Sequence, residues 1–186
     1  MRYLLIALLA WYPPGVHAEP AALHDIDVKV EISDGEVHVD VSFLVQATPA
    51  EVWAVITDYD RATEFISDLH FSQIVSRSDD IIQVMQKGTV RVGPFAFPVE
   101  TLRELQLTRP VEVRSRLING NMKKLVTTTR LAAEGTGTRI VHKAESVPEF
   151  WLPPFIAKLF ITHETRDKFQ QLRNEIVRRK QAAEAR

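Results

Sequence analysis

Hydrophobic and polar positions alternate with a period of two along most of the chain, and two stretches break into the longer period of a helix. Val28, Val30 and Ile32 alternate with polar residues, Asp34-Gly35 interrupts, and Val37, Val39, Val41, Phe43 and Val45 resume against His38, Asp40 and Ser42. Two half-buried strands joined by Asp-Gly predict a hairpin with a tight turn. Thr48-Pro49-Ala50-Glu51 then combines an N-cap, a first-turn proline and a capping-box glutamate, and Val52, Trp53, Val55 and Ile56 follow at helical spacing. A short helix is therefore expected from Pro49. Asp60 is placed to cap a second short helix carrying Ala62, Phe65 and Ile66.

From about Leu69 to Val147 the period returns to two, with turn signals at Ser78-Asp79-Asp80, Gly93-Pro94, Arg109-Pro110, Asn119-Gly120-Asn121 and Gly135-Thr136-Gly137. Connections this short pair neighbouring strands antiparallel, so about six strands form a meander. Gly88, inside a strand pattern, reads as a bulge or bend before it reads as a ligand contact. The character changes at Phe150-Trp151-Leu152-Pro153-Pro154. Phe155, Leu159, Thr162, Arg166, Phe169, Leu172 and Ile176 then follow the 3.6-residue period to about Arg179. This predicts one helix of roughly 25 residues and about 40 Å, with Phe169, Leu172 and Leu159 toward the sheet and Lys168 and Glu175 toward water.

Composition narrows the class. With 186 residues, 45% hydrophobic and 25% charged, the chain reads as an ordinary globular protein. Its 23 Lys+Arg against 24 Asp+Glu leave no positive excess for binding phosphates, which argues against a nucleic-acid partner. The absence of cysteine excludes disulfides, thiolate metal sites and a cysteine nucleophile. At the N-terminus Arg2, the apolar run Tyr3 to Tyr12, the breaker Pro13-Pro14-Gly15 and Val16-His17-Ala18 have the layout of a secretory signal peptide cut after Ala18. That run covers only about half of the roughly 20 residues a bilayer requires, so no integral membrane span is expected. Residues 1–18 are thus read as the signal and 19–186 as one domain with its core at about 36–180, periplasmic or secreted.

The predicted order is α+β: a hairpin, two short helices, a curved antiparallel sheet and a long terminal helix. In that order the chain resembles the helix-grip fold of the START-like, or SRPBCC, superfamily, in particular its polyketide cyclase/dehydrase-like and coenzyme Q-binding branch. The residues that carry the resemblance are Val45 to Trp53 at the start of the first helix, Thr57-Asp58-Tyr59-Asp60 between the helices, Gly93-Pro94-Phe95, Gly137-Thr138-Arg139 and the long helix.

The resemblance implies a cavity between sheet and helix for an apolar molecule such as a lipid, isoprenoid, quinone or polyketide. On the strand face that should look inward, Thr101, Arg103, Ser115, Thr127 and Thr129 are sprinkled among Phe97, Leu105 and Leu117. A solid core avoids unpartnered polar groups, whereas a ligand pocket uses a few of them. Thr and Ser also simply favour strands, and Arg103 near a strand end can reach solvent. Trp53, Trp151, Phe150 and Phe155 read as core or pocket-wall aromatics before a protein-binding patch. Arg166 lies on the apolar stripe of the long helix, either paired with Glu100, Asp58 or Glu104 or binding a ligand oxygen. The expected ligand-binding set is Trp53, Phe97, Thr101, Arg103, Ser115, Leu117, Thr127, Thr129, His142, Leu159 and Arg166.

Specific catalytic and metal motifs are missing from the sequence. His163-Glu164-Thr165-Arg166-Asp167 has the first half of a zinc-protease helix motif, but Asp167 stands where the second histidine belongs. No phosphate loop, nucleophile elbow or calcium loop occurs. No cofactor, metal or catalytic residue is assigned. The favoured reading is a non-catalytic carrier of a hydrophobic small molecule, with room for transient membrane contact. The alternatives are a cyclase/dehydratase-like enzyme on an aromatic or polyketide substrate, using His142, Glu100 or Arg103, and an interaction domain whose cavity is filled by its own side chains. Export has its own test: the intact mass of the exported protein should place the N-terminus at Glu19, and soluble protein retaining Met1 would remove the signal-peptide reading.

Overall fold

The computed structural model describes residues 26–92, 95–149 and 153–185. The proposed signal peptide, the Gly93-Pro94 turn and Phe150-Trp151-Leu152 lie outside the described residues. The first hairpin consists of β1 (Asp27–Ser33) and β2 (Glu36–Val45). Asp34 and Gly35 both take positive φ, 52° and 78°, as a primed two-residue turn requires. Helix α1 (Pro49–Ile56) starts where expected, its capping box complete: Glu51 N–H donates to Thr48 Oγ1 at 3.3 Å and Thr48 N–H donates to Glu51 Oε2 at 2.6 Å.

Strands β3 (Leu69–Ser78), β4 (Ile81–Val92), β5 (Phe95–Thr108), β6 (Glu112–Gly120), β7 (Met122–Glu134) and β8 (Gly137–Pro148) form the meander, and α2 (Pro154–Glu184) closes the chain. All eight strands belong to one antiparallel sheet in the order β1-β2-β8-β7-β6-β5-β4-β3. Opposite Gly88 the β3 register shifts between Leu69 and Phe71, which is the bulge its sequence suggests. The start of β8, Gly137-Thr138, is tied to the end of β2 and the entry to α1. The buried Thr138 hydroxyl donates to Ala47 O at 2.7 Å, just before α1, and a Cβ on Gly137 would stand 2.5 Å from Val45 O. That close approach admits only glycine.

The apolar interior falls into two clusters. The larger joins β1, β2, α1, Leu131 and Ile140 to α2 through Phe169, Leu172 and Ile176. The smaller consists of Ile82, Val84, Leu105, Leu107 and Val113 on β4, β5 and β6, and Trp53 and Ile56 of α1 pack against both. In the larger cluster the Phe43 and Phe169 rings meet edge to face at 5.7 Å.

Three expectations fail here. Asp60 is not a cap: the second short helix is a 3-10 turn over Tyr59–Glu64, and Asp60 Oδ1 instead accepts from Ile74 N–H at 2.7 Å, fastening that turn to β3. The long helix has 31 residues rather than 25, because Gln181-Ala182-Ala183 are good helix formers and continue it past the last apolar contact. Its facing is also different. Phe155 and Leu159 are exposed, at 71% and 73%, because α2 rests on β1 and α1 and no described element packs on that side of its first turns. Glu175, expected in water, is buried at 7% exposure.

Glu175 is held by two guanidinium groups: Arg178 Nη2 donates to Oε1 at 2.7 Å and Arg179 Nε donates to Oε1 at 2.6 Å. Arg179 also donates through Nη1 to Asp58 Oδ2 at 2.7 Å and lies 5.6 Å from the centre of the Phe65 ring. These bonds, Arg178 foremost, hold the Glu175 carboxyl down at about 2. The cluster pins the last third of α2 to the segment that follows α1. Glu175→Gln should therefore destabilise the fold by about 2–4 kcal/mol, as removal of one partner of a buried ionic cluster does, whereas Leu159→Gln should change stability by less than about 0.5 kcal/mol. Urea unfolding of the two variants beside wild type checks both values.

Candidate ligand-binding cavity

A cavity of about 450 Å³ lies between α2, the α1-to-β3 segment and the concave face of β4 to β8. Val55 and Phe65 form one wall, Leu105 and Val113 another, and Phe169 and Leu172 of α2 the roof. The walls thus come from both apolar clusters, and the space is what remains between them.

Its polar groups converge on Arg103. Alternation along β5 turns Thr101, Arg103 and Leu105 inward, and antiparallel register sets Gln86 of β4 against Thr101 and Ser115 of β6 against Leu105. Arg103 Nη1 donates to Ser115 Oγ at 3.3 Å, and Nη2 donates to Gln86 Oε1. Gln86 in turn donates through Nε2 to Ser72 Oγ at 3.0 Å. Arg103 Nε is buried with no hydrogen-bond partner, and among the described residues no carboxylate forms an ion pair with the guanidinium. Burial lowers the Arg103 pKa, while its neighbour Tyr59 acts in the opposite sense. The group stays charged even so, since a guanidinium holds its proton in proteins.

Among the described residues no titratable neighbour supplies Arg103 with a paired negative charge. Burial pushes the Tyr59 phenol up, so it is neutral at physiological pH. Burial first, and the Arg103 charge second, push His142 down to about 4. Its Nδ1 shares a hydrogen bond of 2.8 Å with Thr129 Oγ1, and its ring lies 5.1 Å from that of Phe169. Asp58 and Asp68 reach the lining, but Asp58 is bound to Arg179 and Asp68 accepts from Arg91 Nη1 at 3.2 Å.

Of the residues expected from sequence, Thr101, Arg103, Ser115, Thr127, Thr129 and His142 line this cavity. The other five do not. Trp53 is wedged between the two apolar clusters, where its bulk links them. Phe97 lies beyond the lining residue Val99, nearer the tip of the β4–β5 hairpin. Leu117 faces a separate cleft of about 350 Å³, where β6 and β7 part after the Arg116–Val126 pair. Leu159 is exposed. Arg166 points to the other side of α2, its Nε donating to Ile26 O at 3.4 Å, and its expected partners serve other cations: Glu100 binds Lys87, Asp58 binds Arg179 and Glu104 binds Arg116. Arg103, likewise, does not reach solvent at a strand end. Gln86 and Tyr59 are among the lining residues that the sequence reading did not single out. Gln86 shares the inward alternation of Ile82 and Val84 and was open to detection, whereas Tyr59 sits on a 3-10 turn that has no periodic signature. Lys168, expected in water, lies on the lining.

The family model for polyketide cyclase / dehydrase and lipid transport matches residues 45–173, more than half of the chain. Among solved structures, the chain is similar to a STAR-related lipid transfer protein from Xanthomonas axonopodis (13% identity, TM-score 0.67, covering 82% of this chain and 94% of that one). It is also similar to the Zhui aromatase/cyclase from Streptomyces sp. R1128 (16% identity, TM-score 0.66, 80% and 98%) and to a START superfamily protein from Mycobacterium smegmatis (11% identity, TM-score 0.65, 76% and 97%). At these identities the likeness concerns the fold alone. None of the curated proteins matches the sequence significantly.

His142 gives the cavity a measurable pH signature. The unfolded imidazole takes a proton near 6.5 and the folded one only near 4, so acidification through that window favours the unfolded chain. Between about pH 7 and about pH 4.5 the linked loss should be about 1–3 kcal/mol, and His142→Gln should lose less stability than wild type over the same interval. Denaturation midpoints at the two pH values test this. An equal loss in both proteins would place the imidazole in water.

Proposed function

The chain belongs to the polyketide cyclase / dehydrase and lipid transport family, and on that premise we propose that it is an exported binding protein that holds one hydrophobic small molecule, of lipid, isoprenoid, quinone or polyketide type, in the cavity under α2. The observation that carries this reading is the cavity itself: about 450 Å³ of space with apolar walls and polar groups gathered on one side, the composition of a small-molecule site. Had the space been filled, the sprinkled hydroxyls would be ordinary strand residues.

Holding is favoured over turnover by the company His142 keeps. Its hydrogen-bond partner is the Thr129 hydroxyl and not a carboxylate, the charge of Asp40 raises its basicity less than burial and Arg103 lower it, and a pKa near 4 makes it a weak base. Export is supported by the pattern of residues 2 to 18. No helix among the described residues is long and apolar enough to cross a membrane. The exposed Phe155, Ile156 and Leu159 on the first turns of α2 support a transient membrane contact, through which an apolar guest would be exchanged.

Two measurements test the proposal. Mass spectrometry of an organic extract of the purified protein should find one apolar compound in stoichiometric amount. Thr127→Phe, which places a ring in the cavity, should abolish saturable binding of an apolar fluorescent probe and leave the melting temperature near that of wild type, since overpacking a solid core would instead cost about 1–3 kcal/mol. Absence of saturable binding in wild type, with a destabilised variant, would turn the reading toward an interaction domain.

A further inference from the structure

Resting on the cavity as a binding site, we infer that the guest is an apolar monocarboxylate, a molecule with an alkyl or aryl body and one carboxylate seated against Arg103. The geometry carries this step. The cavity encloses a permanent cation whose partners among the described residues are both neutral, the Ser115 hydroxyl and the Gln86 amide oxygen, and its Nε is sealed from solvent with no hydrogen-bond partner among them. A cation in a low-dielectric space is expensive to keep unless an anion or several good acceptors compensate it.

Every charged or titratable group on the lining has been accounted for, and none serves as that anion. Asp58 is committed to Arg179 and Asp68 to Arg91. Tyr59 and His142 are held neutral by burial, and Lys168 adds a second positive charge on the α2 side. The counter-charge is therefore left for the occupant to bring. The guanidinium has five N–H groups, and the hydrogen bonds to Ser115 and Gln86 use one on each Nη. Since Nε is closed off, the second N–H of each Nη is what an occupant can engage, and two such donors on one planar group suit the two oxygens of a carboxylate. Thr101 on β5 and Thr127 on β7 line the same space, while Leu105, Val113, Phe169 and Leu172 receive the apolar body. A neutral guest of the same shape would fill the walls and leave Arg103 uncompensated.

The experiment compares dodecanoate with 1-dodecanol by isothermal titration of the delipidated protein near neutral pH. The acid should bind about tenfold tighter than the alcohol or better, a difference that measures the charged contact. In Arg103→Met the ratio of acid to alcohol affinity should fall to about one, and Arg103→Lys should keep part of the preference, because an ammonium is a point charge without the fork. Alcohol binding equal to or tighter than acid binding in wild type overturns the inference and leaves the cavity reading standing. A preference for acid that survives in Arg103→Met also overturns it, and would assign the charge recognition to Lys168. If neither compound binds and no extracted compound displaces a probe, the cavity reading fails together with the inference. Should Arg103→Met not fold, the wild-type ratio and Arg103→Lys decide the outcome.

Discussion

A single helix cannot cover an eight-stranded sheet. At 4.7–4.9 Å per strand the sheet would span roughly 34 Å if flat, and a helix with its side chains is only about 10–12 Å wide. Curvature narrows the gap without closing it. The chain resolves the mismatch asymmetrically: α2 settles on β1 and α1, building the larger apolar cluster, while β4, β5 and β6 keep a smaller cluster of their own. Trp53 and Ile56 bridge the two at one end. Elsewhere the distance between them is open, and that opening is the cavity.

Because the cavity is a consequence of how α2 lies, the contacts that fix α2 set its shape. At the C-terminal end the Glu175–Arg178–Arg179–Asp58 cluster ties the helix to the segment after α1, and Gln171 binds Ser67 on the same side through its Nε2 at 3.1 Å. At the other end Arg166 reaches the backbone of Ile26. Both Asp58 and Phe65 belong to this anchoring and to the cavity wall at once. The polar side of the cavity is organised differently, by strand register and reach: Gln86 of β4 pairs with Thr101 and Ser115 of β6 with Leu105, so each stands diagonally from Arg103 on the same face, within range of its long side chain.

The fold was legible to an unusual depth, and particular residues show why. Asp34-Gly35 demanded a primed turn, Thr48-Pro49-Ala50-Glu51 specified the start of α1 down to both hydrogen bonds of its capping box, and short turns left the meander no other topology. These are local rules that hold before the chain folds. Asp60 shows their limit, since an aspartate suited to capping found a better donor in Ile74 N–H of β3. The cavity was half legible for a similar reason. Alternation on a strand states which side chains share a face, so Thr101, Arg103, Ser115, Thr127 and Thr129 were found, but Phe97 and Leu117 share that face and lie off the lining.

Strand and helix periods, turn chemistry and capping are properties of neighbouring residues, so the sequence by itself determined the elements, their order, the antiparallel pairing and the inward face of each strand. What it could not determine is where the long helix would come to rest. Arg166, Leu159, Lys168 and Glu175 all occupy positions whose helical phase was read correctly as a period and wrongly as a direction, because a helix stripe becomes a buried face only when something lies opposite it. The tertiary structure decided that α2 leans toward β1, sends Leu159 and Arg166 away from the cavity, buries Glu175 between two arginines and sets Arg103 on the cavity lining with no carboxylate of the described residues paired to it. The reason is physical: burial and charge compensation depend on distances between segments far apart in the chain, and no local pattern encodes those distances.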